Sequence, residues 1–552
     1  MNELIARFRK APVSTAYLLI ASLLINMLGF SSSLYVIQVL NRYVSYGVTA
    51  TLVTMTSGVV IAIGAEYLFR RLRLRLAEEI VGDADSRLAT GVFGLLLTTP
   101  LTTLEPYSPA ERIELVRGIE RTEAALGPPA LAALADVPFS LLFLGALALL
   151  SPPLAMIATV FCLGSLFLAL ETRRRLAEPT RSLSILAERI GSLVNIGTAG
   201  AETVRQFNGA TLLMTRWAAT ATEARTLRNR LNFAHADSAS IGQALQAFMG
   251  AAVICAGAVL VVSGQLDVGA LIGANLIAAR ALAPLARLVQ MGGALKSAEL
   301  ALAAARRFAQ TAGTVEGYKT LPGWKGGLEL RGVGFQHSGT SEPLYKALDI
   351  SLVAGDVLLV TGRNGTGKSS FLRLIAGLIE PSHGRILVDG VDLRQISLEW
   401  WRQNVSYLPQ EPVFLDDTIR ENLLAARPDA DVSELERCLA IAGLLPFINH
   451  HPAGLDQVLT AEGRTLAPGL RRRLALARAI LVDGPLFLLD EPSEGLDRQG
   501  AEAVYALLID LVRRNKTLVV VSHDPAILRG ARRVLRFDGG EPVSMNATEL
   551  AS

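Results

Sequence analysis

Apolar positions divide the chain into two unlike parts. Six apolar stretches, each near the length a bilayer requires, lie around 17–40, 48–69, 130–150, 153–170, 241–263 and 268–289. The intervening segments 70–130 and 171–240 are rich in Ala, Leu, Arg and Glu, and read as helices that prolong the spans well beyond the membrane. Near residue 310 the hydropathy drops, and 312–327 carries Gly, Thr, Pro and Lys without helical periodicity, the pattern of a linker. Beyond it, short apolar runs alternate with helical patterns, which points to an α/β architecture. The expected fold is a membrane α-helical bundle of six transmembrane helices over 1–311, a linker at 312–327 and an α/β domain over 328–552. The run from Tyr17 to about Leu40 exceeds a signal-peptide core, and no small-residue cleavage pattern follows it. It is therefore expected to be the first span.

Charge orients the spans. Arg7, Arg9 and Lys10 precede the first; Arg70, Arg71, Arg73 and Arg75 follow the second; Arg173, Arg174 and Arg175 follow the fourth. The opposite loops, at 41–47, 151–153 and 263–267, are short and carry only Arg42 as a cation. By the positive-inside rule both termini are expected in the cytoplasm. Composition agrees, since only 19% of residues are charged, below the quarter usual in soluble chains. The net charge of +3 is too small to indicate a nucleic-acid partner, and six spans exclude a soluble ATPase acting on DNA. Cys162, Cys255 and Cys438 lack metal-ligand or disulfide spacing; the first two fall in apolar runs and read as buried, inert thiols. Ionisable residues inside spans are costly, so Arg280 in the sixth, with Asn275 near it, and Asp136 opening the third are candidates for a substrate path. Arg280 is expected to face a central cavity and to pair with Asp136. The alternative for Asp136 is a place at the water interface, because the strongest apolar run starts after it.

The α/β part carries a phosphate-binding pattern. Gly362-Arg-Asn-Gly-Thr-Gly-Lys368-Ser369 fits G-x-x-x-x-G-K-[ST] between an apolar strand at Val357–Thr361 and a helix at Ser370–Ile375. Glycines allow the tight turn, exposed N–H groups point at phosphate oxygens, and the helix N-terminus adds a favourable dipole. Gly362, Asn364, Gly365, Thr366, Gly367, Lys368, Ser369 and Ser370 are the candidate contacts, with Lys368 on the β- and γ-phosphates and Ser369 on Mg²⁺. Leu486-Phe-Leu-Leu-Asp490-Glu491 is an apolar strand ending in two carboxylates: Asp490 for the metal shell, Glu491 to orient or deprotonate water. A strand at Thr517–Val521 leads to Ser522-His523, an imidazole within reach of a γ-phosphate.

With these residues in place, the C-terminal part resembles an ATP-binding cassette. Tyr407-Leu-Pro-Gln410 resembles the Q-loop, whose glutamine the resemblance assigns to Mg²⁺ and to sensing the membrane domain. Glu491-Pro-Ser-Glu-Gly-Leu-Asp497 resembles the segment from catalytic glutamate to D-loop, and His523 the switch histidine. In this family two cassettes sandwich two ATP molecules, each between one P-loop and the partner's signature motif. Ser33-Leu-Tyr-Val-Ile-Gln-Val, Asp136-Val-Pro-Phe, Gly269-Ala-Leu-Ile and Arg280-Ala-Leu-Ala-Pro-Leu resemble exporters of the family, particularly type I secretion ATPases of Gram-negative bacteria. The resemblance implies an ABC half-transporter of the inner membrane, held in lipid, using ATP and Mg²⁺ and working as a homodimer or a heterodimer. It further implies a polypeptide cargo with a C-terminal signal, a periplasmic adaptor and an outer-membrane channel. No peptidase-like segment precedes the first span, so leader cleavage is not implied. A lipid, peptide or small-molecule exporter is the same-class alternative, and a non-transporting, ATP-binding regulatory subunit is the alternative from another class.

Two motifs depart from the family. Where LSGGQ is expected, the chain reads Leu466-Ala467-Pro468-Gly469-Leu470. Ala467 lacks the hydroxyl that would hold a γ-phosphate across the dimer, and Pro468 fits a first helical turn but has no N–H. Where a tyrosine usually stacks on adenine, Val333-x-Phe335-x-His337 presents His337. An intact P-loop, Glu491 and His523 beside a degraded signature suggest a heterodimer that divides the two sites; a homodimer with two slow sites is the rival.

Overall fold

The computed structural model describes residues 7–9, 11–312, 318–337, 340, 342–531, 533–537 and 543–546. It divides into two compact units, one of Met1–Thr98 with Tyr107–Ala312, the other of Thr99–Pro106 with Gly313–Ser552. Residues 313–317 of the expected linker lie outside the described residues.

The first unit is helical. Its elements include α1 (Pro12–Gln38), which runs into a π-helical turn at Val39–Val44, and α2 (Thr49–Thr98). A single turn, α3 (Leu101–Leu104), belongs to the second unit. There follow α4 (Pro109–Leu126), α5 (Pro128–Asp136), α6 (Phe139–Leu150), α7 (Pro152–Ala199), α8 (Ala201–Gln206), α9 (Ala210–Val262) and α10 (Val268–Ala312). Among the described residues, six helical stretches are long and apolar enough to cross a membrane: Pro12–Val44, Thr49–Thr98, Pro128–Leu150, Pro152–Ala199, Ala210–Val262 and Val268–Thr311. The helices α2, α7 and α9 have 50, 48 and 53 residues. At about 1.5 Å per residue each exceeds twice a ~30 Å hydrocarbon core, so the arginine-rich segments are continuous with the spans.

Local chemistry sets the breaks. Ser108 caps α4 by accepting from the Glu111 N–H, while the Glu111 carboxylate accepts from the Ser108 N–H, a reciprocal capping box. Between α5 and α6, Pro138 has no N–H to continue the ladder, and the third span is interrupted there. Phe143, Leu147, Leu154, Ala158, Val253, Ala274 and Ala278 form the main apolar core of this unit. Cys162 is buried in that core, but Cys255 is exposed on α9. A helix that meets lipid need not turn its apolar side chains inward, so an apolar run does not by itself imply burial in protein.

The second unit holds two sheets and their covering helices. In chain order its elements are β1 (Leu328–Phe335), β2 (Tyr345–Leu352), β3 (Val357–Gly362), α11 (Lys368–Ile375), β4 (His383–Val388), β5 (Val391–Asp392), α12 (Leu398–Asn404) and β6 (Val405–Leu408). Then come α13 (Ile419–Leu424), α14 (Val432–Ile441), α15 (Leu445–His450), α16 (Pro468–Val482), β7 (Leu486–Asp490), α17 (Arg498–Arg513), β8 (Thr517–Val521), α18 (Pro525–Arg529), β9 (Arg533–Phe537) and β10 (Val543–Asn546). A four-stranded sheet runs β2-β1-β4-β5, all antiparallel; a six-stranded sheet runs β10-β9-β3-β8-β7-β6, parallel except for β10.

The parallel strands are apolar at nearly every position because both faces are covered. Alternate residues enter different cores. Leu358, Val360, Leu488, Val519 and Val521 join Phe371, Trp401 and the antiparallel sheet; Leu359, Phe487, Leu489, Leu518 and Val520 pack on α14, α16 and α17. The strand ends thus emerge from a rigid double-sided core, and the functional side chains stand on those ends.

Candidate functional site

The cleft is built at the C-terminal edge of β3, β7 and β8. Gly362 ends β3 with φ +138°, and a Cβ there would strike the Phe537 carbonyl of the neighbouring strand. Gly367, at φ +99°, then starts α11, and a Cβ there would strike Leu344. Only glycine fits both positions, which is how the loop turns between strand and helix. Lys368 Nζ donates to the carbonyls of Gly362 and Arg363 at 2.8 and 2.9 Å, folded over the loop it follows. Burial pulls the Lys368 ammonium below its ordinary pKa, against the opposing influence of Glu491 and Asp490.

Asp490 ends β7 and is buried. Burial pushes its carboxyl above the ordinary aspartate range; a hydrogen bond from Ser369 and the cations of Arg373, Lys368 and Arg472 pull the other way. Its Oδ1 is buried with no hydrogen-bond partner among the described residues. Glu491 leaves the strand at φ +48°, held by its N–H donating to the Val521 carbonyl at 2.9 Å. That turn points the carboxylate at the β8 exit, where the His523 N–H donates to Oε2 at 3.3 Å and His523 Nε2 lies 3.6 Å from Oε1. Burial raises the Glu491 pKa, and the His523 N–H and Lys368 oppose this.

These groups surround a cleft of about 760 Å³ lined by Lys368, Ser369, Gln410, Asp490, Glu491 and His523, among others. Asn364, Gly365, Gly367, Ser370 and His337 also line it. Gln410 follows β6 and donates from Nε2 to the Glu494 carboxylate at 3.4 Å. His337 sits with its ring nearly perpendicular to that of Phe335 (4.8 Å between centroids). Its Nε2 is 3.3 Å from the Ser370 hydroxyl and its Nδ1 3.5 Å from the Glu105 carboxylate, so both nitrogens are engaged at the rim of the cleft.

Other expected residues lie elsewhere. Thr366 bonds the Arg363 carbonyl at 2.8 Å, bracing the loop from within. Asp497 is outside the cleft lining and caps α17, accepting from the Gly500 N–H at 2.8 Å and pairing with Arg473. Leu466–Leu470 is also outside it: Ala467 is the N-cap of α16 with no side-chain hydrogen bond, Pro468 occupies the first turn, and Leu466 and Leu470 pack on the core shared with α14, α16 and α17.

Pattern reading of the sequence passed over several contributors. Ser493 and Tyr505 both donate to the Asp524 carboxylate, at 2.8 and 2.5 Å, and fix the segment after His523. Arg373 and Arg472 supply positive charge toward Asp490. Asp524 stands beside His523 in sequence and could have been found by adjacency; nothing in the local pattern marks Tyr505 or Arg472.

In the helical unit the expected pairing of Arg280 with Asp136 is not formed. Asp136 takes Arg73 Nη1 at 2.5 Å, Asn26 Nδ2 at 3.1 Å and, more distantly, Arg287 Nη1 at 3.6 Å. Arg280 instead donates to the Ser32 hydroxyl at 3.1 Å, in the space left by Gly29. The reason is register. Arg287, not Arg280, reaches Asp136, and the two arginines are two helical turns apart on α10, about 10 Å. Asn275 is five positions from Arg280, on a different helical face, and lies over Gly250. Arg73 and Asp136 are both more than nine-tenths buried. Removing one partner of such a pair typically costs about 3–5 kcal/mol, because the other charge stays buried alone. Asp136→Ala is therefore expected to lower the midpoint of thermal unfolding of the purified protein in lipid; an unchanged midpoint would contradict the tie.

Comparison with known proteins adds the family. The model described as ABC transporter matches residues 345–494, and the one described as ABC transporter transmembrane region matches 15–285. The alpha-hemolysin translocation ATP-binding protein HlyB of Escherichia coli O157:H7 is 25% identical over 530 residues, covering 95% of this chain and 74% of that one. The toxin RTX-I translocation ATP-binding protein of Actinobacillus pleuropneumoniae is 25% identical over 554 residues, covering 98% and 76%. The solved structure of a bacterial Atm1-family ABC exporter with ATP bound shares the fold, with TM-score 0.83 at 18% identity over 98% of this chain and 96% of that one. A transmembrane region and an ATP-binding domain of one family, joined in a single polypeptide, make this chain a member of the ABC transporters, a multi-pass exporter that couples ATP hydrolysis to transport.

Proposed function

We propose that this chain is one half of a dimeric exporter of the bacterial inner membrane, with both termini in the cytoplasm, and that its cargo is a polypeptide. The observation supporting that cargo is the pair of relatives, each described as a translocation ATP-binding protein for a toxin, aligned over nearly the whole chain. The domain limits proposed are those read from the sequence, 1–311 for the membrane part and 328–552 for the cassette, with Thr99–Pro106 grouping by its contacts with the cassette.

In this reading the loop Gly362–Gly367 and the start of α11 hold the phosphates of ATP through backbone N–H groups, and Lys368 leaves the loop carbonyls to meet phosphate oxygens. Ser369, Asp490 and Gln410 fit a Mg²⁺ ion: the donors are all oxygen, and Asp490 Oδ1 is a buried acceptor with no partner among the described residues. When bound, Mg²⁺ supplies charge neutralisation of the phosphates. Glu491, whose proton affinity is raised by burial, takes the proton of the attacking water, and His523 beside it contacts the γ-phosphate. His337 packs near the base. Asp136 reads as an interhelical tie, Asn275 as a packing group and Arg280 as the remaining candidate for cargo contact.

Ala467 and Pro468 supply neither a hydroxyl nor a second N–H at the start of α16. This favours a heterodimer in which a second half-transporter brings the intact signature to the site described here. Transport in inverted vesicles decides the cargo. ATP-dependent uptake of an unfolded polypeptide with a C-terminal signal is expected, and it should vanish with Glu491→Gln. Uptake of lipid or small molecules alone would overturn the polypeptide assignment, and no ATP-dependent movement at all would favour a regulatory subunit. A periplasmic adaptor and an outer-membrane channel belong to the same proposal and would co-purify after cross-linking.

A further inference from the structure

One side chain that joins separate segments around the cleft comes from none of the motifs that line it. Arg472 lies just over one turn into α16 and is 12% exposed. Its Nη1 donates to the Glu494 carbonyl at 2.7 Å and its Nη2 to the Gln410 carbonyl at 2.8 Å. The same Nη2 lies 3.3 Å from the Glu494 carboxylate, which also accepts from Gln410 Nε2 at 3.4 Å. Gln410 follows β6, whereas Glu494 stands three residues after Glu491. A planar guanidinium presents two fixed N–H directions and can hold two carbonyls on separate segments at once. An ammonium on a flexible stem is a poor substitute at such a fork.

We propose that Arg472 is a positioning residue that ties the segment of Gln410 to the segment of Glu491 and Glu494, and joins both to the helix that begins at Ala467-Pro468. This rests on the ATPase reading of the cleft and extends it to coupling within the cassette. Both segments are short and leave the sheet at different strands, so each could shift alone without Arg472. With it, a displacement of α16 moves the metal-side glutamine and the water-side glutamate together. Glu494 has a secondary part, since both carbonyl bonds persist without its carboxylate. The arrangement also gives the start of α16, which the family resemblance directs at the partner's nucleotide, a mechanical connection to this chain's own site.

The test uses the full chain in lipid nanodiscs with Arg472→Met, Arg472→Lys and Glu494→Gln. Amide hydrogen exchange reads segment opening whether or not the chain hydrolyses ATP alone. Arg472→Met is expected to speed exchange at 410–414 and 493–496 together by at least about tenfold, with 362–370 unchanged. Arg472→Lys should fall between, and Glu494→Gln should give the smallest change. Unchanged exchange in either segment overturns the tie, and so does faster exchange across 362–370 as well, which would signal general loosening. Where turnover is measurable, Arg472→Met should lower kcat by roughly 10- to 100-fold with KM for ATP within about threefold. A loss confined to KM overturns the proposal. The underlying reading is checked separately: Lys368→Ala binding ATP as well as the unchanged chain would remove the nucleotide site itself, whatever Arg472 does.

Discussion

Glu491→Gln is expected to reduce ATP turnover by about 10²- to 10⁴-fold, the usual contribution of a general base, while ATP binding is retained. The geometry supports so large an effect from one atom. The Glu491 backbone is held in the left-handed region by its N–H bond to Val521, and its carboxylate is fixed by the His523 N–H. Glutamine keeps the volume and can still accept that bond through its carbonyl, so the cleft should not collapse. What disappears is the group able to take a proton. The check is Mg²⁺-dependent hydrolysis in lipid beside binding of labelled ATP by the same preparation. More than a tenth of the original turnover remaining would remove Glu491 from the base role; loss of binding would show that the substitution disturbed the site more broadly.

Repairing the start of α16 should act in the opposite direction. Ala467→Ser combined with Pro468→Gly restores one hydroxyl and one N–H at a helix N-terminus where the described N-cap makes no side-chain hydrogen bond. Each hydrogen bond to a charged phosphate is worth about 1.5–3 kcal/mol, and each 1.4 kcal/mol is tenfold in rate, so two bonds correspond to roughly 10²- to 10⁴-fold. Turnover of the chain alone should therefore rise steeply if two copies can pair, because each would bring a repaired motif to the other's P-loop. The measurement is hydrolysis by the double variant against the unchanged chain, with Glu491→Gln as the blank in both. An already brisk turnover near one per second without repair would favour a homodimer. A repaired chain that stays inactive would show that something besides Ala467 and Pro468 prevents pairing.

The sequence carried some features of this molecule plainly and others not at all. The spans were legible because lipid imposes a length and a composition on each one, and the arginine clusters give an expected orientation without any knowledge of packing. The P-loop was legible because its chemistry is local: a strand, a turn that only glycine permits, and a helix, all within about fifteen residues. Asp490, Glu491 and His523 were found at strand ends for the same reason. The pairing of Asp136 was not, since choosing between Arg280 and Arg287 requires the register of three helices, and composition is blind to a two-turn offset. His337 lies at the rim of the cleft, and its bonds to Ser370 and Glu105 depend on segments more than thirty and two hundred positions away. Arg472 was the hardest. Its neighbours in sequence are two more arginines, Arg471 and Arg473, and only the fold selects which one bridges Gln410 and Glu494.

The short turn α3 has a consequence for how the protein is made. Thr99–Pro106 groups with the cassette unit, and the Leu101 N–H donates to the Leu378 carbonyl at 3.1 Å, although this piece lies in sequence between the second and third candidate spans. Ribosomes add about 5–20 residues per second, so the piece is born roughly ten to forty seconds before the remainder of its own unit begins to appear. The hydrogen bond from Leu101 to Leu378 therefore forms only after the later-made part of the unit has appeared. The cassette gains this contact from a segment that was synthesised long before and that lies in sequence between two spans. An error in threading α2 would therefore misplace a segment that the second unit contacts.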